Sequence, residues 1–146
     1  MITNSDITIY NITTVNGATY YNKTIIKDVN FQTVCSIKND RVRGIISDDV
    51  VSVYIPFFSD FSGKEYVKPK VYKRMIRDGM MDFDRYFTLD NNDKIVKGII
   101  DFELTGEKYN NIAYLENFYD DVYNITTIAT NDNGSLYMQH WRVGAK

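Results

Sequence analysis

The side chains that most often carry catalysis are scarce in this chain. It has one histidine, His140, and one cysteine, Cys35. His140 alternates with Met138 and Leu136, so the pattern predicts a structural histidine on one face of a strand. Cys35 lies in a run of strand-forming residues, which predicts a small core side chain. Acid–base and nucleophilic chemistry depend on such groups being paired with a partner, and neither position indicates one.

Paired carboxylates are the remaining groups that could do chemistry. All four pairs lie at predicted turns or strand entries, where aspartate stabilises the turn itself: Asp48/Asp49, Asp82/Asp84, Asp90/Asp93 and Asp120/Asp121. The run at 90–93 resembles the start of a calcium loop, but the glycine and the bidentate glutamate of such a loop are missing. Nucleotide-binding, serine-hydrolase and zinc-protease motifs do not occur. We therefore predict a protein that is not an enzyme, with no catalytic, cofactor-binding or metal-binding residues and no cofactor.

A basic segment over residues 64–77 permits two interpretations. Six cationic residues fall within it, and two tyrosines lie between them: Lys64, Lys68, Lys70, Lys73, Arg74 and Arg77, with Tyr66 and Tyr72. Such a segment could contact phosphate or nucleic acid, or it could be a docking loop that lysines keep solvated. The chain as a whole carries a net charge of −2 and a pI of about 5.3, which favours the second interpretation.

Length and composition predict one globular β domain. The chain has 146 residues, of which 44% are hydrophobic and 25% charged, as is typical of globular proteins. The first residues lack a signal-peptide pattern, and no apolar run approaches the ~20 residues that a membrane helix needs. We therefore expect a soluble protein that is made in the cytoplasm and has no membrane partner.

The residue types favour strands over helices. The chain contains 17 Ile, 12 Val and 12 Thr against 4 Leu and 4 Ala. A codon bias toward A/T would also enrich Ile and Asn, so this signal is partly compositional. Alternation and turn residues predict strands at 7–15, 19–29, 31–37, 42–46, 50–55, 94–102, 122–130 and 136–143. The fold class predicted for residues 1–146 is mainly β, a small antiparallel β-barrel or sandwich with one short helix at 108–119 and a long inserted loop.

That inserted loop, an excursion at about residues 57–93, is rich in aromatic residues and methionine. It includes a short helical stretch that begins at Pro69 and ends at Arg77. Loops of this length in compact domains are usually functional or disordered. We predict that it supplies an assembly interface through Phe61, Tyr66, Lys70, Tyr72, Met80, Met81 and Phe83. We also expect residues 60–85 to become ordered only on assembly, and Trp141 to anchor the core.

Three stretches of the chain carry a resemblance to a known family. They are VSVYIP at 51–56 with YVKPK at 66–70; FTL at 87–89 with Asp93 and IVKG at 95–98; and DVY at 121–123 with YMQHWRVG at 137–144. The series resembles a family of small proteins from tailed phages and prophages of Gram-positive bacteria. Its members tend to read V-x-V-x-I-P, Y-V-x-P, F-T-L-x-x-x-D-x-I-V-x-G and H-W-x-V-x-G-K. The resemblance covers residues 50–146, and the final GAK departs slightly from the usual ending.

The resemblance implies a structural role in the virion. Such proteins look like head–tail connector components of the minor capsid, head-closure or stopper class. It implies a location in the phage neck, with copies of the chain forming a ring between the portal–adaptor and tail proteins. Packaged DNA would pass nearby without sequence-specific binding. The alternative is a β-sandwich binding module of a tail tip or baseplate that recognises host-surface carbohydrate through exposed tyrosines.

Overall fold

Six strands close into an antiparallel barrel. The computed structural model describes the backbone of residues 2–40 and 44–146, and the side chains of residues 2–33 and 50–146. The barrel strands are β1 (Ser5–Val15), β2 (Ala18–Asp40), β3 (Gly44–Pro56), β6 (Lys94–Lys97), β7 (Val122–Asn131) and β8 (His140–Ala145). They pair in the order β1-β2-β3-β8-β7-β6, and β6 closes the circle against β1. The predicted fold class, a small antiparallel β-barrel, is confirmed.

The remaining elements are not strands of the barrel. The excursion contains two short strands, β4 (Glu65–Tyr66) and β5 (Tyr86–Phe87), which pair in parallel, and the helix α1 (Pro69–Arg77). The second helix is α2 (Ile112–Phe118), and a single 3₁₀ turn covers Leu136–Met138.

The hairpin between β1 and β2 forms where the sequence predicts it. Asn16 and Gly17 have φ values of 53° and 80°, and Val15 pairs with Ala18. A two-residue turn of this type needs positive φ at both central positions, and Asn-Gly is the pair that most readily adopts it.

The predicted breaks inside β2 and β3 are wrong. Residues 31–37 continue β2, although Asp28 has a φ of 64°. The predicted strands at 42–46 and 50–55 are not separate, because 44–56 is one strand whose residues 44–54 all pair with β2; residues 42 and 43 lie outside the described part. Unbroken pairing outweighs the turn preference of Ser47-Asp48-Asp49. In the described pairing, the residues of β2 after Thr33 and the residues of β3 before Val51 pair only with each other.

Three elements in the second half are shorter than predicted. β6 ends at Lys97 because Gly98, with a φ of 91°, turns the chain away from the strand. α2 begins at Ile112 because Tyr109 has a φ of 72° and Asn111 caps the helix, its side chain accepting a hydrogen bond from the Tyr114 backbone N–H. The predicted strand at 136–143 begins only at His140, after the 3₁₀ turn.

The core consists of two clusters on the two sides of the barrel wall. Alternate residues of β1, β3 and β8, such as Ile9, Val53 and Trp141, fill the barrel. The intervening Tyr10 packs outside with Val96, Leu104, and Leu115 of α2. α2 therefore covers the outer side of the wall around β1 and β6.

Candidate assembly surfaces

The excursion folds back onto the barrel around Trp141. The Trp141 ring centroid lies 4.3 Å from that of Phe57, 4.6 Å from that of Tyr66 and 5.9 Å from that of Phe61. Phe61 and Tyr66 also contact Phe87 of β5. Trp141 is 7% exposed and belongs to the cluster of side chains that fills the barrel. These aromatic residues close one side of the barrel core and are not a free surface.

Lys64 ties the excursion to β2. Its ammonium donates hydrogen bonds to the Asn22 side-chain oxygen (2.8 Å), the Lys23 carbonyl (2.6 Å) and the Thr24 hydroxyl (3.1 Å). Burial lowers the pKa of Lys64, because the charged form has lost much of its hydration. This part of residues 60–85 is therefore packed within a single chain, in disagreement with the expectation that the segment orders only on assembly.

The predicted interface residues separate into buried and exposed groups. Tyr72 lies on the buried face of α1 and is 1% exposed, so it offers no surface to a neighbour in this conformation. Met81 and Phe83 are half-buried, and the Phe83 ring stacks on Tyr20 at 6.0 Å. Lys70 and Met80 are exposed, with Met80 at 74%.

An exposed aromatic surface lies on α2, where the sequence analysis placed none. We call Tyr109, Tyr114 and Phe118 the α2 aromatic face; their exposed fractions are 61%, 40% and 66%. Tyr114 stacks on Phe118 with centroids 6.0 Å apart and meets Tyr109 edge-on at the same distance. The helical spacing of Ile112, Leu115, Phe118 and Tyr119 predicts that these residues share one buried stripe. Leu115 is buried as that spacing predicts, whereas Phe118 is exposed.

A second apolar surface lies where β8 begins. We call Phe58, Leu136, Tyr137 and Met138 the 136–138 patch. They are 46%, 62%, 71% and 62% exposed, and Phe58 meets Tyr137 edge-on at 5.9 Å. The strand predicted over 136–143 would have buried alternate residues of this stretch. The 3₁₀ turn exposes Leu136, Tyr137 and Met138 together. An alternation of apolar and polar residues does not predict such a turn.

The two apolar surfaces lie on opposite sides of the barrel. The α2 aromatic face belongs to the region of α2, which covers the wall around β1 and β6, whereas the 136–138 patch lies at the end of β3 and the start of β8. In the circular order β1-β2-β3-β8-β7-β6, these two pairs of strands face each other across the barrel. Exposed apolar patches of this kind commonly mark protein–protein contacts.

A groove of about 920 Å³ separates α1 from β7 and β8. Its floor includes Tyr66 and Trp141, and its rim includes Lys70, Asp90 and Ile128. The groove therefore has an apolar floor with charges of both signs at its edge.

A buried carboxylate braces the turn between β5 and β6. Asp93 is 1% exposed, and its two carboxylate oxygens accept hydrogen bonds from the Asn11 side chain (2.8 Å) and the backbone N–H groups of Ile12 (3.0 Å) and Asp90 (3.1 Å). Burial raises the pKa of Asp93 to about 7, although these N–H donors oppose the shift. The sequence analysis recognised Asp93 only as a turn residue, because its partner Asn11 lies 82 positions away.

The raised pKa of Asp93 predicts that stability falls as the pH rises. Between about pH 4 and 7 the Asp93 carboxyl is protonated in the folded state and ionised in the unfolded chain. Its contribution to the free energy of unfolding is therefore complete below about pH 4 and is lost as the pH rises through 7. We expect the free energy of unfolding to fall by about 2 kcal/mol between pH 5 and 7. Urea unfolding across this range measures it.

Asp93→Asn is the control for that measurement, since it keeps the shape and removes the titration. The wild-type decline should be absent in the variant. Equal slopes for the two proteins would show that Asp93 does not titrate in this range.

The described contacts of His140 are with a backbone carbonyl and an aromatic ring. His140 Nδ1 lies 2.8 Å from the Met138 carbonyl oxygen, and its ring packs beside Tyr54. It does not share a strand face with Leu136 and Met138, because those residues form the 3₁₀ turn. Cys35 lies in β2, and its side chain is outside the described part. Within that part, no three His, Cys, Asp or Glu residues come together in a way that could hold a metal ion, and no helix has the length and apolar character to cross a membrane.

The fold and these surfaces define a closed six-stranded β-barrel with covering helices and exposed apolar patches. The chain belongs to DUF6751, a family of unknown function whose profile matches residues 2–146. No curated protein and no solved structure matches the chain.

Proposed function

We propose that this protein is a structural component of a tailed-phage virion, a ring-forming head-closure or head–tail joining protein of the neck. Its partners are copies of itself, the portal–adaptor proteins on one side and the tail proteins on the other. Ring formation is supported by the two different apolar surfaces on opposite sides of one barrel. The neck location comes from the resemblance of residues 50–146 to phage connector proteins.

In a ring, each subunit contacts its two neighbours through two different surfaces. In head-to-tail assembly one patch of a subunit meets the other patch of its neighbour, and the series closes when the rotation per subunit divides the circle. A two-fold dimer would need only one self-complementary patch. The α2 aromatic face and the 136–138 patch supply the two unlike surfaces.

Charge-introducing variants on the two patches test this pairing. We expect wild-type protein at about 100 μM to sediment as oligomers, and Phe118→Glu and Leu136→Glu each to abolish them, because a buried unpaired charge is costly at an apolar contact. Each variant keeps one intact patch, so an equimolar mixture should form dimers and nothing larger. Analytical ultracentrifugation distinguishes these states.

Ile2→Glu is the matched control, since Ile2 is 83% exposed and lies outside both patches. It should assemble as the wild type does. Monomeric wild-type protein, or variants that assemble normally, would contradict the pairing of these patches.

The exposed tyrosines favour one second candidate, a tail-tip or baseplate module that binds host-surface carbohydrate. Tyr109, Tyr114 and Tyr137 present rings to solvent on which a sugar face can stack. Binding to a host cell-wall polysaccharide array that Tyr114→Ala abolishes, with no oligomers at any concentration, would favour this function over the neck.

A further inference from the structure

Helix α1 has two chemically distinct faces. Tyr72 and Ile76 are 1% and 8% exposed and hold the helix against the barrel. The other face presents four exposed cationic side chains, which we call the α1 basic face: Lys70, Lys73, Arg74 and Arg77. Their spacing of three, one and three residues places all four on one side of the helix, along about 10 Å of its axis.

A cleft beside the α1 basic face is lined by cations and by the hairpin between β1 and β2. Its volume is about 350 Å³, and its lining consists of the four cationic side chains with Thr14 and Val15. No carboxylate among the described residues lines it. The cleft therefore combines positive charge with a hydroxyl group, as anion sites do.

Nearby carboxylates neutralise little of this charge. Lys73 Nζ lies 3.6 Å from Asp90 Oδ2, and Arg77 Nε lies 3.4 Å from Asp78 Oδ1. Both pairs are exposed, and exposed pairs are weak and screened by salt. Lys70 and Arg74 have no carboxylate partner among the described residues.

The charge of the chain is segregated. Residues 64–77 carry six basic residues and one acidic one, a charge of +5, so the rest of the chain carries −7 to give the total of −2. The attraction of a polyanion is therefore stronger on the α1 side than the net charge of the chain suggests. The acidic total, which made the sequence analysis favour a solvated loop, therefore does not describe this face.

The surroundings of the α1 basic face distinguish between kinds of polyanion. A membrane surface would need the apolar face of α1 to insert into lipid, and the barrel already covers that face. The centre of a protein–protein interface is depleted of charged residues, whereas in this cleft four cationic side chains lie side by side. A row of cations with a single hydroxyl fits a repeating phosphate backbone, since about 10 Å along the axis of duplex DNA holds about three phosphates of each strand.

We propose that the α1 basic face binds the phosphate backbone of duplex DNA without reading its sequence. Cationic side chains that contact only phosphates hold and orient DNA but do not discriminate between bases. The choice of duplex DNA as the polyanion rests on the proposed neck function, where packaged DNA passes. The binding itself is measured on the free protein, so its outcome is independent of whether rings form.

Fluorescence anisotropy with a labelled 30-base-pair duplex, measured over a salt series, tests the proposal. With up to four phosphate contacts, the logarithm of the association constant should fall against the logarithm of salt concentration with a slope of about −3 to −4. Lys70→Gln/Arg74→Gln should weaken binding at least tenfold at about 25 mM salt and reduce the magnitude of the slope by about 2. Scrambling the DNA sequence should change nothing.

Lys27→Gln/Arg142→Gln is the matched control, because it removes the same charge from exposed strand positions. Its affinity should stay within twofold of the wild type. Three results would overturn the proposal: no binding at about 25 mM salt, equal weakening by both double variants, or tighter binding of single-stranded RNA than of the duplex.

Discussion

Trp141→Ala should lower the free energy of unfolding by about 3–5 kcal/mol, the usual cost of emptying a large aromatic site. Trp141 joins the barrel to the excursion, since its ring contacts Phe57, Phe61 and Tyr66 while its strand pairs with β3 and β7. The substitution therefore leaves a cavity between the two parts of the chain. Urea unfolding of the purified variant measures the loss.

Trp141→Phe is the control for this loss. The Trp141 indole N–H is buried and has no hydrogen-bond partner among the described residues, so phenylalanine removes volume without breaking a hydrogen bond. We expect it to cost about 1–2 kcal/mol. A Trp141→Ala protein that unfolds at the wild-type urea concentration would show that Trp141 does not anchor the core.

Asp93→Ala should lower the free energy of unfolding by about 2–4 kcal/mol at pH 7. The substitution removes the acceptor of two backbone N–H groups, those of Ile12 and Asp90, and each is left without its partner. It also removes the acceptor of one N–H of the buried Asn11 side chain, whose other N–H keeps its hydrogen bond to the Thr88 carbonyl (2.6 Å). Denaturant unfolding at pH 7 measures it.

Thr88→Val provides the comparison within the same site. Thr88 is 1% exposed, and its hydroxyl has no partner among the described residues, so a valine of the same shape should change stability by less than about 1 kcal/mol. If Asp93→Ala costs no more than Thr88→Val, the buried carboxylate does not hold the turn between β5 and β6.

The local signals in the sequence were sufficient for those elements that local chemistry determines. Asn16-Gly17 produces the predicted hairpin, and α1 covers Pro69–Arg77 as predicted. The strand-rich composition led to the correct fold class. In each case the residues that determine the structure are neighbours in the chain, so a short window contains the information.

The failures arise where distant pairing or a single backbone angle decides the outcome. The turn residues 47–49 stay within β3 because β2 pairs with them along their whole length. Tyr109, with positive φ, delays the start of α2, which begins at Ile112 and not at the predicted residue 108. The Asp93–Asn11 contact joins residues 82 positions apart. Sequence periodicity contains none of this information.

The same limits explain why the predicted interface residues differ from the surfaces that the structure exposes. The aromatic residues concentrated in the excursion suggested a docking loop. Phe61 and Tyr66 pack on Trp141 instead, and Tyr72 lies on the buried face of α1. The exposed apolar side chains lie instead on α2 and at the 3₁₀ turn. Of the predicted interface residues, Lys70 belongs to the α1 basic face and Met80 remains exposed.

Electron microscopy of the protein mixed with a tailed-phage portal–adaptor complex tests the proposed neck function most directly. Our account predicts closed rings of this chain, coaxial with the portal and on its tail side, with α2 of each subunit against the 136–138 patch of the next. Portal–adaptor particles without added density, together with density for this chain at the distal tip of assembled tails, would contradict it.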